Sequence, residues 1–212
     1  MSAATVGIVD YGMGNRRSVE KALERVGARV MLTGDHDALM AADGLVVPGV
    51  GAFPAAMARL RDAGLDELIV RRAQAGTPVL GVCLGMQLLF ERSTELGGDD
   101  GLGLLPGEVV ALAPDPATLK VPHIGWNEIA FTGGSALLEG LGDGAAFYHV
   151  HSFVAVAADE GDVLGRGDYG GSFVSIVGRG DVYGVQFHPE KSSAAGLRLL
   201  ANFTSVSARV AA

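Results

Sequence analysis

A single cysteine stands in a pattern that could make it a nucleophile. Cys83 is the only cysteine of the chain, and it lies between Gly81 and Gly85. This spacing is typical of a nucleophile elbow, a sharp strand-to-helix turn that presents a reactive side chain at the end of a sheet. The helix dipole there favours the thiolate, and the backbone N–H of Leu84 is free to stabilise an oxyanion. A lone cysteine is more often a small buried hydrophobic residue, so other residues must support this assignment.

A histidine and a carboxylate far downstream could complete such a site. His188 and Glu190 are two residues apart, and Pro189 between them favours an extended chain at His188. At that spacing both side chains point the same way. A carboxylate beside an imidazole fixes its tautomer and stabilises the imidazolium. Cys83, His188 and Glu190 therefore predict acyl transfer through a thioester, with a nucleophile, a base and an orienting group.

The oxyanion of such a reaction needs a second donor besides Leu84. Residues 48–51, Pro-Gly-Val-Gly, are the candidate because glycines let backbone N–H groups approach a ligand closely. The same residues could equally form an ordinary strand-to-helix turn. Gln87 follows Cys83 by one helical turn, which predicts that both lie on the same face of the elbow helix.

The elements that would position these residues alternate between strand and helix. Apolar runs predict strands over 5–10, 28–32, 44–48 and from Thr77 onward, and helices fill the segments between them. This alternation predicts a three-layer α/β fold with a mostly parallel central sheet. Ligands bind at the carboxyl ends of the strands in such sheets, which is where the glycine-rich loops and Cys83 fall.

The pattern changes after Pro106, where short strand-like runs are joined by Gly/Asp turns. These runs predict an antiparallel or mixed extension of the sheet within one domain, residues 1–212; they are 109–112, 128–131, 145–151, 171–177 and 182–187. We also expect residues 91–95 to end the elbow helix, residues 121–127 to form an irregular loop, and Ser192 to cap the last helix.

Composition excludes several classes of protein. The 212 residues are 49% hydrophobic with a formal net charge of −8, which is typical of a globular domain and makes the chain a poor binder of nucleic acid or anionic membrane. No apolar run is long enough to span a bilayer, and the N-terminus lacks the basic region of a signal peptide. A single cysteine cannot form an intramolecular disulfide, which favours a reducing, cytoplasmic location.

No cofactor or metal is expected. The segment Gly12-Met-Gly14 lacks the third glycine of a dinucleotide fingerprint, because Arg17 stands there, and the chain contains no P-loop pattern. His149 and His151 alternate on one predicted strand, but no other ligands are spaced with them, so a zinc site is not favoured.

The motif segments resemble the class I (triad) glutamine amidotransferases over nearly the whole chain. The elbow, Gly-Val-Cys-Leu-Gly-Met-Gln, and the His-Pro-Glu segment carry this resemblance. Further segments resemble, within that family, the glutaminase subunits of imidazole glycerol phosphate synthases; they are 10–15 (DYGMGN), 48–53 (PGVGAF), 122–127 (PHIGWN), 148–152 (YHVHS) and 186–192 (QFHPEKS).

The resemblance implies a reaction and a site. Cys83 would attack the side-chain amide of glutamine, with His188 as acid/base and Glu190 orienting it. The backbone of Val50, next to Gly51, and that of Leu84 would hold the oxyanion. The α-amino and α-carboxylate ends of glutamine would be held by a larger set, Gly49, Gln87, Glu95, Ser152 and Phe153.

The resemblance also implies a partner. Ammonia would pass to a (β/α)8-barrel cyclase subunit, which makes imidazole glycerol phosphate and an aminoimidazole carboxamide ribotide in histidine biosynthesis. Candidates for the docking face are Asn15, Trp126 and Lys191. The glutaminase would be almost idle until the partner binds its own ligand.

The chain departs from the family pattern at Arg16, where leucine is usual, at Phe153, where tyrosine is common, and at His149, where an apolar or aromatic residue is usual. Three alternatives stay open. One is a glutaminase of the same superfamily that serves pyridoxal phosphate, guanylate or anthranilate synthesis. The others are a Cys-His-Glu peptidase or thioesterase, and a regulatory relative without activity.

Overall fold

The computed structural model describes residues 3–115 and 117–210, and its centre is one mixed β-sheet. The described residues form thirteen strands: β1 (Thr5–Val9), β2 (Arg29–Thr33), β3 (Gly44–Gly49), β4 (Val79–Cys83), β5 (Phe90–Ser93), β6 (Asp99–Asp100), β7 (Leu105–Ala111), β8 (His123–Phe131), β9 (Gly144–His151), β10 (Phe153–Ala157), β11 (Val163–Asp168), β12 (Ser172–Arg179) and β13 (Val182–Val185). Six α-helices accompany them in this part of the chain: α1 (Arg16–Arg25), α2 (His36–Met40), α3 (Phe53–Asp62), α4 (Leu65–Gln74), α5 (Leu84–Leu88) and α6 (Ser193–Val210).

Five of the thirteen strands form a parallel region whose central strands are buried on both faces. Its strands run in the order β2-β1-β3-β4-β13, with every neighbouring pair parallel. β3 and β4 are buried throughout because helices cover both faces of the sheet. α1 and α6 pack on one face through residues such as Leu23 and Phe203, while α3 and α4 pack on the other through residues such as Met57 and Leu68. These three layers confirm the predicted α/β architecture.

The other half of the sheet is largely antiparallel and begins where β12 pairs with β13. β12, β10 and β7 follow as antiparallel neighbours, and β11, β8 and β9 branch from β12 as an antiparallel extension. The predicted antiparallel or mixed extension is therefore confirmed. It begins only one strand away from β4, across β13, so its residues can reach the elbow.

Two local predictions were wrong, and some strands were not predicted. The elbow helix ends at Leu88 and not in residues 91–95, because Phe90–Ser93 is drawn into the sheet as β5 by pairing with β7. Residues 121–127 are not an irregular loop throughout, since β8 begins at His123 and pairs along its length with β9. The strands β10 and β11 were missed altogether.

The last helix begins directly after Ser192, as predicted, but the Ser192 side chain does not cap it. The hydroxyl of Ser192 donates to the His188 carbonyl at 2.7 Å and accepts from the Tyr148 N–H at 3.0 Å, so it fastens the preceding loop to β9 and does not cap α6. Among the helices of residues 3–115 and 117–210, none combines the length and the apolar composition needed to cross a membrane.

Candidate active site

Cys83 is the last residue of β4 and sits in a strained turn. Its backbone dihedrals are φ 56° and ψ −113°, a conformation that L residues seldom adopt. Such strain costs about 1–3 kcal/mol and persists only where the surrounding structure enforces it. Only five residues follow in helical form as α5, so few peptide dipoles are aligned at the elbow.

The two glycines beside Cys83 are required by close packing. A Cβ atom on Gly85 would lie 1.8 Å from the Val47 carbonyl oxygen, and one on Gly81 would lie 2.5 Å from the Gly85 carbonyl oxygen. Neither position could hold a side chain without moving backbone. The glycine spacing that suggested an elbow is therefore explained by the contact of α5 with the ends of β3 and β4.

His188 and Glu190 come together beside the elbow. The Nδ1 of His188 lies 2.9 Å from Oε1 of Glu190, and both side chains are almost wholly buried. The reasoning from extended spacing was only half right: His188 is extended, but Glu190 lies in a 3-10 turn, Pro189–Lys191. Because Nδ1 faces the carboxylate, Nε2 is the ring nitrogen left to exchange a proton with the Cys83 sulfur.

The charge state of His188 follows from these neighbours. Burial lowers its pKa, but hydrogen bonds to Cys83 and Glu190 and the charges of both outweigh burial and raise the pKa to about 9. The ring is therefore an imidazolium at neutral pH. The Cys83 sulfur also lies 3.7 Å from the Val150 carbonyl oxygen, to which the thiol form donates.

A cavity of about 350 Å³ opens at Cys83 and contains most of the predicted site. The predicted residues that line it are Val50, Gly51, Cys83, Leu84, Gln87, Glu95, Ser152, Phe153, His188 and Lys191. Three lining residues were not predicted, namely Pro122, Val150 and His151. Gly49, Glu190, Asn15 and Trp126 are not among the lining residues.

Gln87 presents one particular atom to the cavity. Its Nε2 donates to the Phe153 carbonyl at 3.1 Å and to Oε1 of Gln186 at 3.0 Å. Both amide protons are thereby used, which leaves the Gln87 oxygen as the atom that can bind a ligand. This oxygen can only accept a hydrogen bond, so it suits a ligand ammonium group.

Glu95 offers a second acceptor to the cavity. It opens a short 3-10 turn, Glu95–Gly97, and its Oε2 accepts from the Phe53 N–H at 2.7 Å, at the start of α3. The other carboxylate oxygen has no partner of this kind. Glu95 and Gln87 together therefore provide a negative, hydrogen-bond-accepting end to the cavity.

The predicted oxyanion loop is held against the elbow. Gly49, at the end of β3, is in register with Cys83, and a Cβ atom there would lie 2.8 Å from the Leu84 Cβ. The Tyr11 hydroxyl donates to the Pro48 carbonyl at 2.6 Å. Burial, with the nearby Cys83 charge, raises the pKa of Tyr11, so its phenol stays neutral and remains a donor. Val50 follows as a half-exposed residue at the cavity mouth.

The three residues predicted for a docking face lie in different settings. The Trp126 side chain is 55% exposed and contacts Tyr148 edge-on. The Lys191 ammonium lies 6.0 Å from the centre of the Tyr148 ring. Asn15 instead points inward, with its Nδ2 3.4 Å from Oε1 of Glu190.

A cluster of three buried histidines behind the cavity was missed by sequence reasoning. His123 on β8 and His149 and His151 on β9 lie with their rings 5.0–5.6 Å apart. The antiparallel register sets His123 opposite His151. Within the described ranges, no group of three or more His, Cys, Asp or Glu side chains is arranged to hold a metal ion. The alternation of His149 and His151 was a visible signal, but the strand register that adds His123 was not.

The fold and the elbow define a class of protein. The family described as glutamine amidotransferase class-I matches residues 7–206, and the chain belongs to that family of enzymes. Solved structures agree on the fold: a crystal structure of a glutamine amidotransferase (TM-score 0.73, 24% identity, covering 96% of this chain and 98% of that one) and the structure of PurLQS from Thermotoga maritima (TM-score 0.75, 19% identity, 96% and 98%).

Relatives of higher sequence identity place the chain in one group within this family. The chain is 50% identical over 198 residues to the imidazole glycerol phosphate synthase subunit HisH of Moorella thermoacetica, covering 93% of each chain. It is 51% identical over 197 residues to the HisH subunit of Aquifex aeolicus, covering 92% of this chain and 94% of that one. Within the class I glutamine amidotransferases, the chain therefore belongs with the HisH subunits.

Proposed function

We propose that this chain is the glutaminase subunit of an imidazole glycerol phosphate synthase and that Cys83, His188 and Glu190 carry the reaction. The observation that supports this most strongly is the set of contacts around His188. A strained cysteine at the cavity floor stands beside an imidazolium that a buried carboxylate holds through Nδ1. This is the arrangement that thioester chemistry needs.

Glutamine enters with its side-chain amide toward Cys83. Its α-ammonium group is bound by the free oxygens of Gln87 and Glu95, and its α-carboxylate by donors at Ser152 and Phe153. The cavity of about 350 Å³ suits an amino acid, and Gln87 and Glu95 line it with acceptors that match a free ammonium group. A free amino acid is therefore favoured over a peptide, whose chain would have to extend past these groups.

The reaction follows two acyl-transfer steps. The Cys83 thiolate attacks the amide carbon, and the oxyanion is held by the backbone N–H groups of Leu84 and Val50, with Gly51 giving that peptide freedom to turn. Nε2 of His188 gives its proton to the amide nitrogen, the C–N bond breaks, and ammonia leaves. The neutral His188 then takes a proton from water, which attacks the thioester and releases glutamate.

The partner is a (β/α)8-barrel cyclase subunit that receives the ammonia. Support comes from β8, which pairs with β9 and exposes large apolar side chains: Val121, Ile124 and Trp126 are 47–59% exposed on or next to this strand. Lys191 lies near this patch, since its ammonium and the Trp126 ring both lie against the Tyr148 ring, and it also lines the cavity. An apolar patch with a cation at its edge favours a lasting protein interface. We expect the complex to be cytoplasmic, because the chain carries one cysteine and that cysteine must stay reduced.

Glutamate release from glutamine tests this proposal. The chain is assayed alone, with a cyclase subunit of imidazole glycerol phosphate synthase, and with that subunit and its nucleotide ligand. We expect little activity alone and a rise of orders of magnitude with both. A matched Cys83→Ser chain should stay inactive in all three conditions. High activity that the cyclase does not change would contradict the pathway, and activity of the Cys83→Ser chain would contradict the chemistry.

A further inference from the structure

A chain of hydrogen bonds runs behind the cavity from β8 to its wall. Nδ1 of His151 lies 3.0 Å from the Phe153 carbonyl oxygen, and Nε2 of the same ring lies 2.9 Å from Nδ1 of His123. Nε2 of His123 lies 3.4 Å from Nδ2 of Asn127, which also donates to the Asp168 carbonyl at 2.8 Å. We call His151, His123 and Asn127 the imidazole relay.

The direction of every bond in the imidazole relay is fixed. A carbonyl oxygen only accepts, so Nδ1 of His151 carries the proton and its Nε2 must accept. His123 therefore donates from Nδ1, and its Nε2 accepts from the Asn127 amide. Burial lowers the pKa of His151 to about 4 and lowers that of His123, so each ring carries one proton at neutral pH, as this order requires.

The inner end of the imidazole relay meets the glutamine site. The Phe153 carbonyl accepts two hydrogen bonds, one from His151 and one from Gln87 at 3.1 Å. The second bond is one of the two that turn the Gln87 oxygen toward a ligand. His151 also lines the cavity. The position of a single carbonyl thus links the imidazole relay to the group that would bind the substrate ammonium.

The outer end of the imidazole relay is held by packing. The His123 ring stacks on Tyr169 with a centroid distance of 4.0 Å, and the Tyr169 hydroxyl donates to the Lys120 carbonyl at 2.8 Å. His123 itself is only 2% exposed. The ring therefore has little freedom to turn, and it transmits its fixed position to His151.

We propose that the imidazole relay positions the glutamine-binding end of the cavity by fixing the Phe153 carbonyl and, through it, the amide of Gln87. His151 and His123 are positioning residues and exchange no proton with the substrate. This inference rests on the proposed glutaminase function, and it assigns to the imidazole relay an effect on substrate affinity and not on the chemical steps.

The chain contains a matched control for this proposal. His149 lies two residues before His151 on β9, is wholly buried, and also bonds through Nδ1 to a backbone carbonyl, that of Phe147 at 3.0 Å. Its Nε2 accepts from the Ser175 hydroxyl at 2.9 Å. These bonds do not include Phe153 or Gln87, so replacing His149 disturbs the same histidine cluster without breaking the imidazole relay.

Steady-state glutaminase kinetics of the complete complex test the proposal with three variants. His151→Phe removes both relay bonds and should raise KM for glutamine about tenfold, with kcat within about threefold of wild type. His149→Phe should leave KM within about twofold. His151→Asn restores a donor near the Nδ1 position and should recover most of the lost affinity. Equal KM values for His151→Phe and His149→Phe, or no recovery in His151→Asn, would overturn the proposal.

A second measurement does not depend on activity or on the folding of a variant. Nitrogen-15 NMR of the histidine-labelled wild-type chain distinguishes the two neutral tautomers. We expect both His151 and His123 to carry the proton on Nδ1 at pH 7, and a proton on Nε2 of either ring would contradict the proposed order. If the wild-type complex releases no glutamate while these tautomers are found, the proposed function fails and the order of the bonds stands.

Discussion

His188 and His151 line the same cavity and are both 5% exposed, yet their surroundings drive their charge in opposite directions. The His188 pKa is raised to about 9 because its partners, Glu190 and Cys83, can both carry negative charge. The His151 pKa is lowered to about 4 because burial, helped by the nearby His123 and His188, outweighs the hydrogen bond to the Phe153 carbonyl, which alone would raise it. Burial is common to both residues, so the kind of hydrogen-bond partner decides the outcome.

The comparison also separates two tasks. The charged histidine, His188, sits where the proposed reaction moves protons, at the junction of the parallel strand β4 and the loop after β13. The neutral histidines sit in the antiparallel extension, where fixed hydrogen bonds shape the wall of the cavity. Altering each group should therefore change a different measured quantity.

The largest expected effect comes from replacing Cys83, the proposed nucleophile and one of the two partners of His188. Cys83→Ser should lower glutaminase kcat by at least about 1,000-fold in the activated complex, because a serine hydroxyl is a far weaker nucleophile beside an imidazolium. The same change should lower the His188 pKa, since Cys83 raises it. Rate measurements and an NMR titration of His188 check both parts. A variant that keeps more than a tenth of the wild-type rate would contradict the assignment.

Neutralising Glu190, the other partner of His188, should have the next largest effect on glutaminase activity. Glu190→Gln keeps the shape of the side chain but removes the charge that helps to hold His188 as an imidazolium. We expect kcat to fall by about 100-fold or more, with little change in KM, because the proton donor and its tautomer are lost in the transition state. The matched change Glu95→Gln should act mainly on KM. The reverse pattern of kinetic effects would overturn the roles assigned to these two carboxylates.

The neutral histidines should make the fold sensitive to acid. A histidine with a lowered folded-state pKa is neutral in both states above its unfolded pKa of about 6.5, so it does not affect stability there. As the pH falls from about 6.5 toward the folded-state pKa, only the unfolded chain binds the proton, and the folded state loses stability. Burial, helped by neighbouring imidazoles, lowers the pKa of His149 to about 3. This ring alone should lower the unfolding free energy by up to about 3 kcal/mol between pH 6.5 and pH 4.

Urea unfolding at both pH values checks the acid effect. The variant His149→Phe/Ser175→Ala removes the ring and the hydroxyl that it accepts from, so no buried donor is left unpaired. We expect this double variant to lose less stability on acidification than wild type. An equal loss in the two proteins would show that His149 is not kept neutral by the fold.

The smallest effect on glutaminase activity is expected from Asn15, which contacts Glu190. Asn15 donates to Glu190 over a long 3.4 Å contact. Asn15→Ala should therefore change glutaminase kcat by no more than about threefold in the saturated complex. A larger loss at limiting cyclase that excess cyclase restores would indicate that Asn15 acts chiefly in docking, as the resemblance implied, and a larger loss that persists at saturation would contradict the small role assigned to this contact.

The parallel half of the fold could be predicted because its residues carry strong local signals. β1, β3 and β4 are short apolar runs that end in glycine-rich turns, and burial on both faces makes such runs continuous. The elbow glycines and the His-Pro-Glu segment are likewise short motifs that can be identified from the sequence alone. The structure brings Cys83, His188 and Glu190 together.

The antiparallel half resisted prediction for physical reasons. The first half of β8 follows Pro122 and carries Gly125 and Asn127, which are typical of loops, so only its second half was predicted as a strand. β5 is a strand only because β7 pairs with it. The histidine cluster depends on the register that sets His123 opposite His151, and register between distant strands is a tertiary property.

Irreversible labelling of Cys83 with a chloroketone analogue of glutamine, followed by mass spectrometry and an activity assay, tests the central claim most directly. Since the chain has one cysteine, a thioether there is unambiguous. We expect one adduct per chain, on Cys83, formed in step with loss of glutaminase activity and slowed by added glutamine. A fully labelled chain that still releases glutamate, or labelling that glutamine does not slow, would contradict the claim that Cys83 attacks a glutamine bound in this cavity.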